Sequence, residues 1–177
     1  MAQIARICLT GPESTGKSAL AARLAAHYGT VHVDEYARTY AEGLARELTF
    51  DDVEPIARGQ LAREAEATPR ARRLIVLDTD VVSSIVYATF HYGRAPDFAL
   101  ARAASHRADL YLLLDVDVPF VFDPLRAPEE HRAELFALFR ATLERLGARY
   151  AIVSGTWAER YEKAVALIDA LRLSSRA

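Results

Sequence analysis

The sequence has few of the residues that form disulfides, cysteine-rich metal centres or membrane spans. Cysteine occurs once in 177 residues, which excludes an internal disulfide and any metal site built from several cysteines. The uninterrupted apolar runs are far shorter than the roughly 20 residues of a spanning helix. The formal net charge is only −2, so the composition predicts neither a nucleic-acid nor a membrane partner. The five histidines are scattered without the spacing of a metal site.

The pattern along the chain predicts one domain, residues 1–177. No repeat, low-complexity segment or linker interrupts it, and its length allows a substantial core. A strand-like run begins at Ile4, which leaves no room for a secretory signal. We therefore expect a single-domain cytoplasmic protein, and the sequence leaves its oligomeric state open.

Lysine is also scarce, since only two of the 22 basic residues are lysines, Lys17 and Lys163. One of the two belongs to the sequence GPESTGKS at residues 11–18, which fits the phosphate-binding pattern G-x-x-x-x-G-K-[ST]. A strand-like run precedes the motif and a helix-like run follows it. In a chain that uses arginine so heavily, a lysine here indicates that an ammonium group is needed.

The chemistry of this loop predicts binding of a nucleoside triphosphate, which the motif match below makes ATP. Its glycines let successive backbone amides point at one anion, and the following helix adds the positive end of its dipole. Lys17 supplies a charge for the β- and γ-phosphates, and the Ser18 hydroxyl is placed to ligate Mg²⁺. The predicted ATP-binding residues in this region are Gly11, Glu13, Ser14, Thr15, Gly16, Lys17, Ser18 and Ala19.

Strand and helix signals alternate, which predicts an α/β protein with a mainly parallel sheet. Ligands of such sheets bind beyond the carboxyl ends of the strands, so polar residues at those ends are candidates for the site. The segment at about 119–132 is polar and contains arginine and proline, and we predict that it forms a lid. The predicted strands are 4–10, 31–33, 74–78, 110–115 and 150–153.

Two acids at strand ends have predicted catalytic roles. Asp78 follows four apolar residues of the third strand, the position of an acid that serves the Mg²⁺ shell. The alternative is a carboxylate that caps the next helix. Glu35 is our candidate for accepting the proton of an attacking hydroxyl, or for orienting that hydroxyl. The alternative is a first-turn glutamate favoured by the helix dipole.

Three further charged residues are candidates with alternatives left open. Asp80 is placed either to hold a ribose-like diol or to start a helix. Arg38 pairs with Glu35, faces phosphate or lies on the surface. In the lid, Arg126 is the candidate that neutralises charge on the transferred phosphoryl group, with Arg132 as a second option. A solvated loop arginine is the alternative for both.

Taken together, these motifs resemble a known family. The phosphate loop is followed by EYAR at 35–38, Gln60, DTD at 78–80 and DVPFVFDPLR at 117–126. In order and spacing this succession is similar to the ribosylnicotinamide kinase domain of NadR-type proteins and to their ATPase-like relatives. The resemblance implies a three-layer P-loop kinase fold with strand order 2-3-1-4-5. It also implies transfer of the ATP γ-phosphate to the ribose 5′-hydroxyl of nicotinamide riboside, which gives nicotinamide mononucleotide.

By motif match, residues 11–18 would hold ATP and Mg²⁺, and Asp78 would serve the metal. The nucleoside would lie among Glu35, Tyr36, Arg38 and Asp80, and Arg126 would come from the lid. NadR-type proteins carry a nucleotidyltransferase domain before the kinase. Because this sequence starts at the kinase, we expect no adenylyltransferase or repressor activity.

Two local departures concern the lid and the base. The family motif D-G-L-R reads DPLR at 123–126, which predicts a stiffer lid. Aromatic residues that would sandwich a nicotinamide ring are missing at Asp34 and Ala65. The aromatic residues that could replace them are Tyr36, Tyr40, Phe90 and Tyr92.

Two other functions remain open. One is a kinase for a different nucleoside or small hydroxyl substrate, and the other is a regulatory ATPase or switch. The acids at the ends of strands two and three, together with an arginine-bearing lid, favour the kinase. The guanine-reading motif N-K-x-D is absent after the fourth strand, where the sequence is LDVD at 114–117, and this disfavours a GTPase switch.

Overall fold

The computed structural model describes residues 4–121 and 129–174. Its centre is a sheet of five parallel strands in the order β2-β3-β1-β4-β5, which confirms the predicted α/β fold and strand order. Leu9 of the central strand aligns with Asp78 on one side and with Leu112 on the other. The strands are β1 (Ala5–Thr10), β2 (His32–Val33), β3 (Leu74–Asp78), β4 (Leu110–Leu114) and β5 (Tyr150–Val153).

The helices alternate with the strands as the sequence pattern predicts. Thr49 and Asp52 form a capping box at the start of the third helix, and Gly29 ends the first helix in the left-handed conformation. Single 3₁₀ turns lie at Thr68–Arg70 and Glu129–His131. The helices are α1 (Lys17–Tyr28), α2 (Tyr36–Glu42), α3 (Phe50–Ala67), α4 (Val81–Tyr92), α5 (Asp97–Ser105), α6 (Arg132–Arg145) and α7 (Trp157–Ser174).

Apolar clusters cover both faces of the sheet, which makes three layers. On one face Ile7 and Leu9 of β1 pack with residues of α1 and α7, including Leu24 and Ile168. On the other face Cys8 packs with residues of α3 to α6. All five residues of β3 are buried, as expected for an apolar strand between two helical layers. This packing aligns the carboxyl ends of the strands along one edge, where the phosphate loop begins.

The described residues bear differently on two predictions, the lid and the absence of a membrane span. The segment 122–128, which includes Arg126 and half of the predicted lid at about 119–132, lies outside the described residues. Within the described part of the chain, no helix combines the length and apolar character needed to cross a bilayer.

Candidate nucleotide and substrate site

The phosphate loop connects β1 to α1 in a conformation that requires its glycines. Gly11 has a φ of 127°, and a Cβ atom there would lie 2.8 Å from the Leu114 carbonyl oxygen. Gly16 caps α1 with a φ of 83°, and Ser14 also adopts a positive φ of 55°. Alternation of left-handed and ordinary residues turns consecutive amides toward one point, which is the geometry of an anion nest.

Lys17 folds back over the loop that it belongs to. The side chain is buried, and its ammonium group donates to the Gly11 carbonyl at 2.9 Å and the Pro12 carbonyl at 2.6 Å. The Thr15 hydroxyl donates to the same Pro12 carbonyl at 2.8 Å. The predicted phosphate-binding lysine is therefore held at the mouth of the loop by carbonyl groups, which an anionic ligand can replace.

Two buried arginines hold the loop from outside. Arg160 of α7 donates to the Thr15 carbonyl at 3.1 Å, and it forms an ion pair with Asp117. Arg132 of α6 donates to the Ser14 carbonyl at 3.3 Å and to the Val118 carbonyl at 3.0 Å. The sequence gives no indication of the role of Arg160, and it indicates Arg132 only as a candidate of the predicted lid. In the sequence both resemble ordinary polar positions of amphipathic helices.

Arg160 also joins the two strand ends beside the loop. Its guanidinium donates to the Asp115 carbonyl at 3.0 Å after β4 and to the Gly155 carbonyl at 2.8 Å after β5. Asp117 accepts from the Gly155 amide at 2.6 Å. Burial alone would raise the pKa of the Asp117 carboxyl, but the Gly155 amide and the Arg160 charge outweigh it and lower that pKa.

Asp78 ends β3 at the same edge, and its chemistry fits a magnesium site. The side chain is buried, and among the described residues Oδ1 has no hydrogen-bond partner. Ser18, in the first turn of α1, is exposed. A carboxylate and a hydroxyl are hard oxygen ligands, and Mg²⁺ takes few protein ligands because it keeps waters and phosphate oxygens. The described residues contain no cluster of three or more histidine, cysteine or acidic side chains suited to a metal.

Asp80 has the structural contacts that the sequence analysis gave as the alternative to substrate binding. It is 2% exposed, its Oδ1 caps α4 by accepting from the Val82 amide at 2.9 Å, and its Oδ2 accepts from the Tyr111 hydroxyl at 2.6 Å. Burial, with a contribution from the nearby Glu64 charge, raises the pKa of Asp80 to about 6. Its role toward a substrate stays a prediction.

Glu35 and Tyr36 lie where β2 turns into α2. Glu35 occupies the N-cap position, and its carbonyl accepts from Arg63 of α3 at 3.4 Å. Gln60 of α3 accepts from the Tyr36 amide at 2.8 Å and donates to the Thr79 carbonyl at 3.4 Å. One buried glutamine therefore ties the start of α2 to the end of β3. This brings the segments of Glu35 and Asp78 to the same edge of the sheet.

The remaining substrate-side candidate is Arg38 on α2, and position 34, where a stacking aromatic residue is missing, lies just before that helix. Arg38 forms an i,i+4 ion pair with Glu42 at 3.2 Å, and both side chains are about half exposed. The Asp34 side chain is 75% exposed and pairs with His32 at 3.2 Å. Both pairs have the character of surface ion pairs, which contribute little to stability.

Trp157 is an exposed aromatic residue beside the loop. It starts α7, is 57% exposed, and would meet a Cβ atom added to Gly16 at 2.4 Å. A Cβ atom at position 16 would have to displace this exposed ring, and the positive φ of Gly16 by itself favours glycine. No role of Trp157 follows from the sequence pattern.

The sequence is similar to a known domain family and to two curated proteins. A family model described as an AAA domain matches residues 6–160. The trifunctional NAD biosynthesis/regulator protein NadR of Salmonella typhimurium (strain LT2) is 32% identical over 125 residues, which are 68% of this chain and 30% of that protein. NadR of Escherichia coli (strain K12) gives the same identity and coverage. The chain thus spans less than a third of the length of these curated relatives.

Solved structures share the fold. The crystal structure of NadR protein in complex with NR has a TM-score of 0.76 and 23% identity, and the match covers 94% of this chain and 49% of that one. A deoxyadenosine kinase from M. mycoides has a TM-score of 0.66 and 12% identity, covering 93% and 99%. The predicted resemblance to the P-loop domain of NadR-type proteins is confirmed.

Proposed function

The chain belongs to the AAA domain family, and we propose that within this family it is an ATP- and Mg²⁺-dependent kinase. The proposed reaction transfers the γ-phosphate of ATP to the ribose 5′-hydroxyl of nicotinamide riboside. The product would be nicotinamide mononucleotide, so the enzyme would act in NAD salvage. A nucleotide-binding P-loop is the common feature of the family and of the related structures.

The observation that carries this proposal is the meeting of the loop with two acids at one sheet edge. The phosphate loop follows β1, Asp78 ends β3, and Glu35 follows β2, the next strand along that edge. The Gln60 bridge keeps the segments of Glu35 and Asp78 together. Phosphoryl transfer needs a phosphate site with a metal-binding acid next to an acid that can orient the acceptor hydroxyl, and these three segments provide both.

The protein residues would act mainly by positioning and charge compensation. Lys17 would exchange its contacts with the Gly11 and Pro12 carbonyls for contacts with the ATP phosphates. Glu35 would accept a hydrogen bond from the attacking hydroxyl and orient it for in-line attack. Arg126 would contribute positive charge from the lid, a proposal that rests on the sequence alone.

Ser18 and Asp78 would hold the metal ion. The buried Oδ1 of Asp78, with no partner in the described chain, supports this assignment. When bound, Mg²⁺ would neutralise charge on the β- and γ-phosphates.

The relatives support nicotinamide riboside as the proposed acceptor. NadR of Salmonella typhimurium is named as an NAD biosynthesis/regulator protein, and a NadR protein has been crystallised in complex with NR. Tyr36 contacts Gly59 and the guanidinium of Arg63, which lies 4.8 Å from the ring centroid. We propose that Tyr36 shapes the wall of the nucleoside site through these contacts.

A kinase for another nucleoside is the second candidate. Position 34 carries an exposed aspartate and position 65 an exposed alanine, so neither offers a ring for base stacking. The same phosphate loop and acids would serve this reaction, and only the base-binding wall would differ.

The test is ADP release with Mg·ATP, alone and with nicotinamide riboside, the common ribo- and deoxyribonucleosides, or shikimate. Products would be identified by mass spectrometry. We expect nicotinamide riboside to give the largest stimulation, with one phosphate added. Phosphorylation of another nucleoside would favour the second candidate, and hydrolysis unaffected by any acceptor would contradict both and support a regulatory ATPase.

A further inference from the structure

We propose that Arg132 and Arg160 are positioning residues that orient the Thr15 and Gly16 amides of the phosphate loop toward a bound phosphate chain. Each arginine donates a hydrogen bond to one of two consecutive loop carbonyls. Arg132 donates to the Ser14 carbonyl at 3.3 Å, and Arg160 donates to the Thr15 carbonyl at 3.1 Å. The inference deepens the proposed function, since it rests on the loop as a polyphosphate site.

The planarity of the peptide bond links the loop carbonyls to the loop amides. In a trans peptide the C=O of one residue and the N–H of the next point in opposite directions. Holding the Ser14 carbonyl therefore fixes the direction of the Thr15 amide, and holding the Thr15 carbonyl fixes that of Gly16. Amides oriented before the anion arrives lose no orientational freedom when it binds, which favours affinity.

Both guanidinium groups are themselves held rigidly. Arg160 is 1% exposed and is fixed by the Asp115 and Gly155 carbonyls and by the Asp117 carboxylate. Arg132 is 5% exposed and is fixed by the Val118 carbonyl. The two helices α6 and α7 thus approach the loop through one anchored arginine each. Burying two guanidinium groups is costly, which argues for a role beyond filling space.

The two arginines differ in the charge that they leave beside the loop. Asp117 neutralises Arg160. The hydrogen-bond acceptors of Arg132 in residues 4–121 and 129–174 are both main-chain carbonyls. Within the part of the chain that the structure describes, Arg132 therefore adds positive charge as well as orientation, and its contribution should be more sensitive to salt.

The experiment measures binding of inorganic tripolyphosphate and of ATP to the full chain by calorimetry, without any acceptor. The variants Arg132→Lys and Arg160→Lys keep the charge but lose the planar group that spans several carbonyls. We expect each to weaken tripolyphosphate binding by about tenfold or more, the loss expected for a displaced charge-assisted hydrogen-bond network. The matched controls are Arg140→Lys in α6, whose surface pair with Glu144 is 3.4 Å long, and Lys163→Gln in α7.

A merely structural role would lower the melting temperature without selectively lowering anion affinity. Each variant is therefore melted with and without tripolyphosphate, and amide exchange is followed in the peptide that covers residues 11–18. The proposal expects a smaller ligand-induced shift and faster exchange there. Asp117→Asn, which keeps every carbonyl contact of Arg160 but removes its charged anchor, is a milder second variant in case Arg160→Lys does not fold.

The proposal would be overturned if the affinity for tripolyphosphate stayed within twofold of wild type. This applies to Arg132→Lys together with Arg160→Lys, or with Asp117→Asn in its place. Because this assay needs no acceptor, its outcome is separate from that of the kinase panel. A chain that phosphorylates nothing but loses tripolyphosphate binding in these variants would contradict the proposed function and support this inference.

Discussion

The ring of Tyr36 lies directly on the helix-interior glycine Gly59, where an added Cβ atom would be 2.0 Å from Tyr36 Cε1. The contact joins α2 to α3 beside Glu35. A glycine inside an 18-residue helix costs about 1 kcal/mol relative to alanine. Close approach of the Tyr36 ring offsets that cost.

The first prediction is that the effect of Gly59→Ala on the free energy of unfolding changes sign when the Tyr36 ring is removed. Gly59→Ala should destabilise the wild type by about 1–2 kcal/mol, because overpacking outweighs the gain in helix propensity. In a Tyr36→Ala background the ring is gone, and the same change should stabilise the protein by up to about 1 kcal/mol. Urea unfolding of the four proteins measures the coupling, and equal effects in both backgrounds would show that the contact has no energetic role.

The second prediction concerns the lysine of the loop. Lys17→Ala removes the ammonium group that contacts the Gly11 and Pro12 carbonyls, and with it the mobile charge for the phosphates. We expect kcat/KM for ATP to fall at least about a hundredfold, since oriented charges at transferring phosphoryl groups have effects of this size. Steady-state kinetics with the acceptor found by the panel would measure it. Lys163→Ala, the change at the other lysine, should leave kcat/KM unchanged.

The third prediction separates catalysis from nucleotide binding. Glu35→Gln keeps size and polarity but removes the carboxylate, so kcat should fall by roughly 10² or more while the affinity for ATP changes little. Turnover and ATP calorimetry on the same preparation give the two numbers. Glu42→Gln changes the exposed partner of Arg38 on the same helix and serves as the control. Near-normal kcat in Glu35→Gln would remove Glu35 from the reaction.

The fourth prediction concerns the pH dependence of stability. The pKa of Asp80 is raised from 3.8 to about 6 by burial and by the Glu64 charge, against the opposing hydrogen bond from Tyr111. Protonated Asp80 therefore contributes stability that is fully present below about pH 4 and is lost as the pH rises through about 6. A shift of about two pKa units corresponds to about 3 kcal/mol.

Asp80→Asn tests this dependence because asparagine also caps helices but does not titrate. We expect the variant to gain about 3 kcal/mol relative to wild type between pH 4 and pH 7. Urea unfolding at several pH values measures the difference, in which the titration of other groups cancels. Parallel curves for the two proteins would be incompatible with a raised pKa at Asp80.

The fifth prediction concerns the arginine of the predicted lid. Arg126→Ala should lower kcat by about 10³, the size of effect seen when an arginine that stabilises transferred phosphate is removed. The KM for the acceptor should change less. Arg140→Ala, at an arginine on the surface of α6, controls for loss of a positive charge. Unchanged kcat would mean that Arg126 does not reach the phosphoryl group.

Local sequence patterns were sufficient for the elements and for the phosphate loop. β3 and β5 have the predicted bounds, and the capping box joins residues only three positions apart, Thr49 and Asp52. These features depend on residues close together in the chain, whose backbone preferences and hydrophobic spacing act locally. The helix-start alternative for Asp80 was also visible in this way.

Long-range pairings could not be obtained from those patterns. Arg160 meets Thr15 across 145 positions, and Arg132 meets Ser14 across 118. Neither pairing leaves a periodic signal, because each depends on how α6 and α7 pack against the sheet. Gly59 likewise has no signal of its own in the sequence, because the Tyr36 ring that covers it comes from another helix.

Eight consecutive residues, 11–18, are therefore enough to predict binding of a phosphate chain. A nest of amides needs only a short stretch of backbone. The orientation of that nest, the burial that raises the pKa of Asp80, and the wall beside Glu35 were decided by the tertiary structure. Each depends on groups that are brought together when helices pack on both faces of one sheet. Only this packing removes water from the Asp80 carboxyl and fixes the direction of the loop amides.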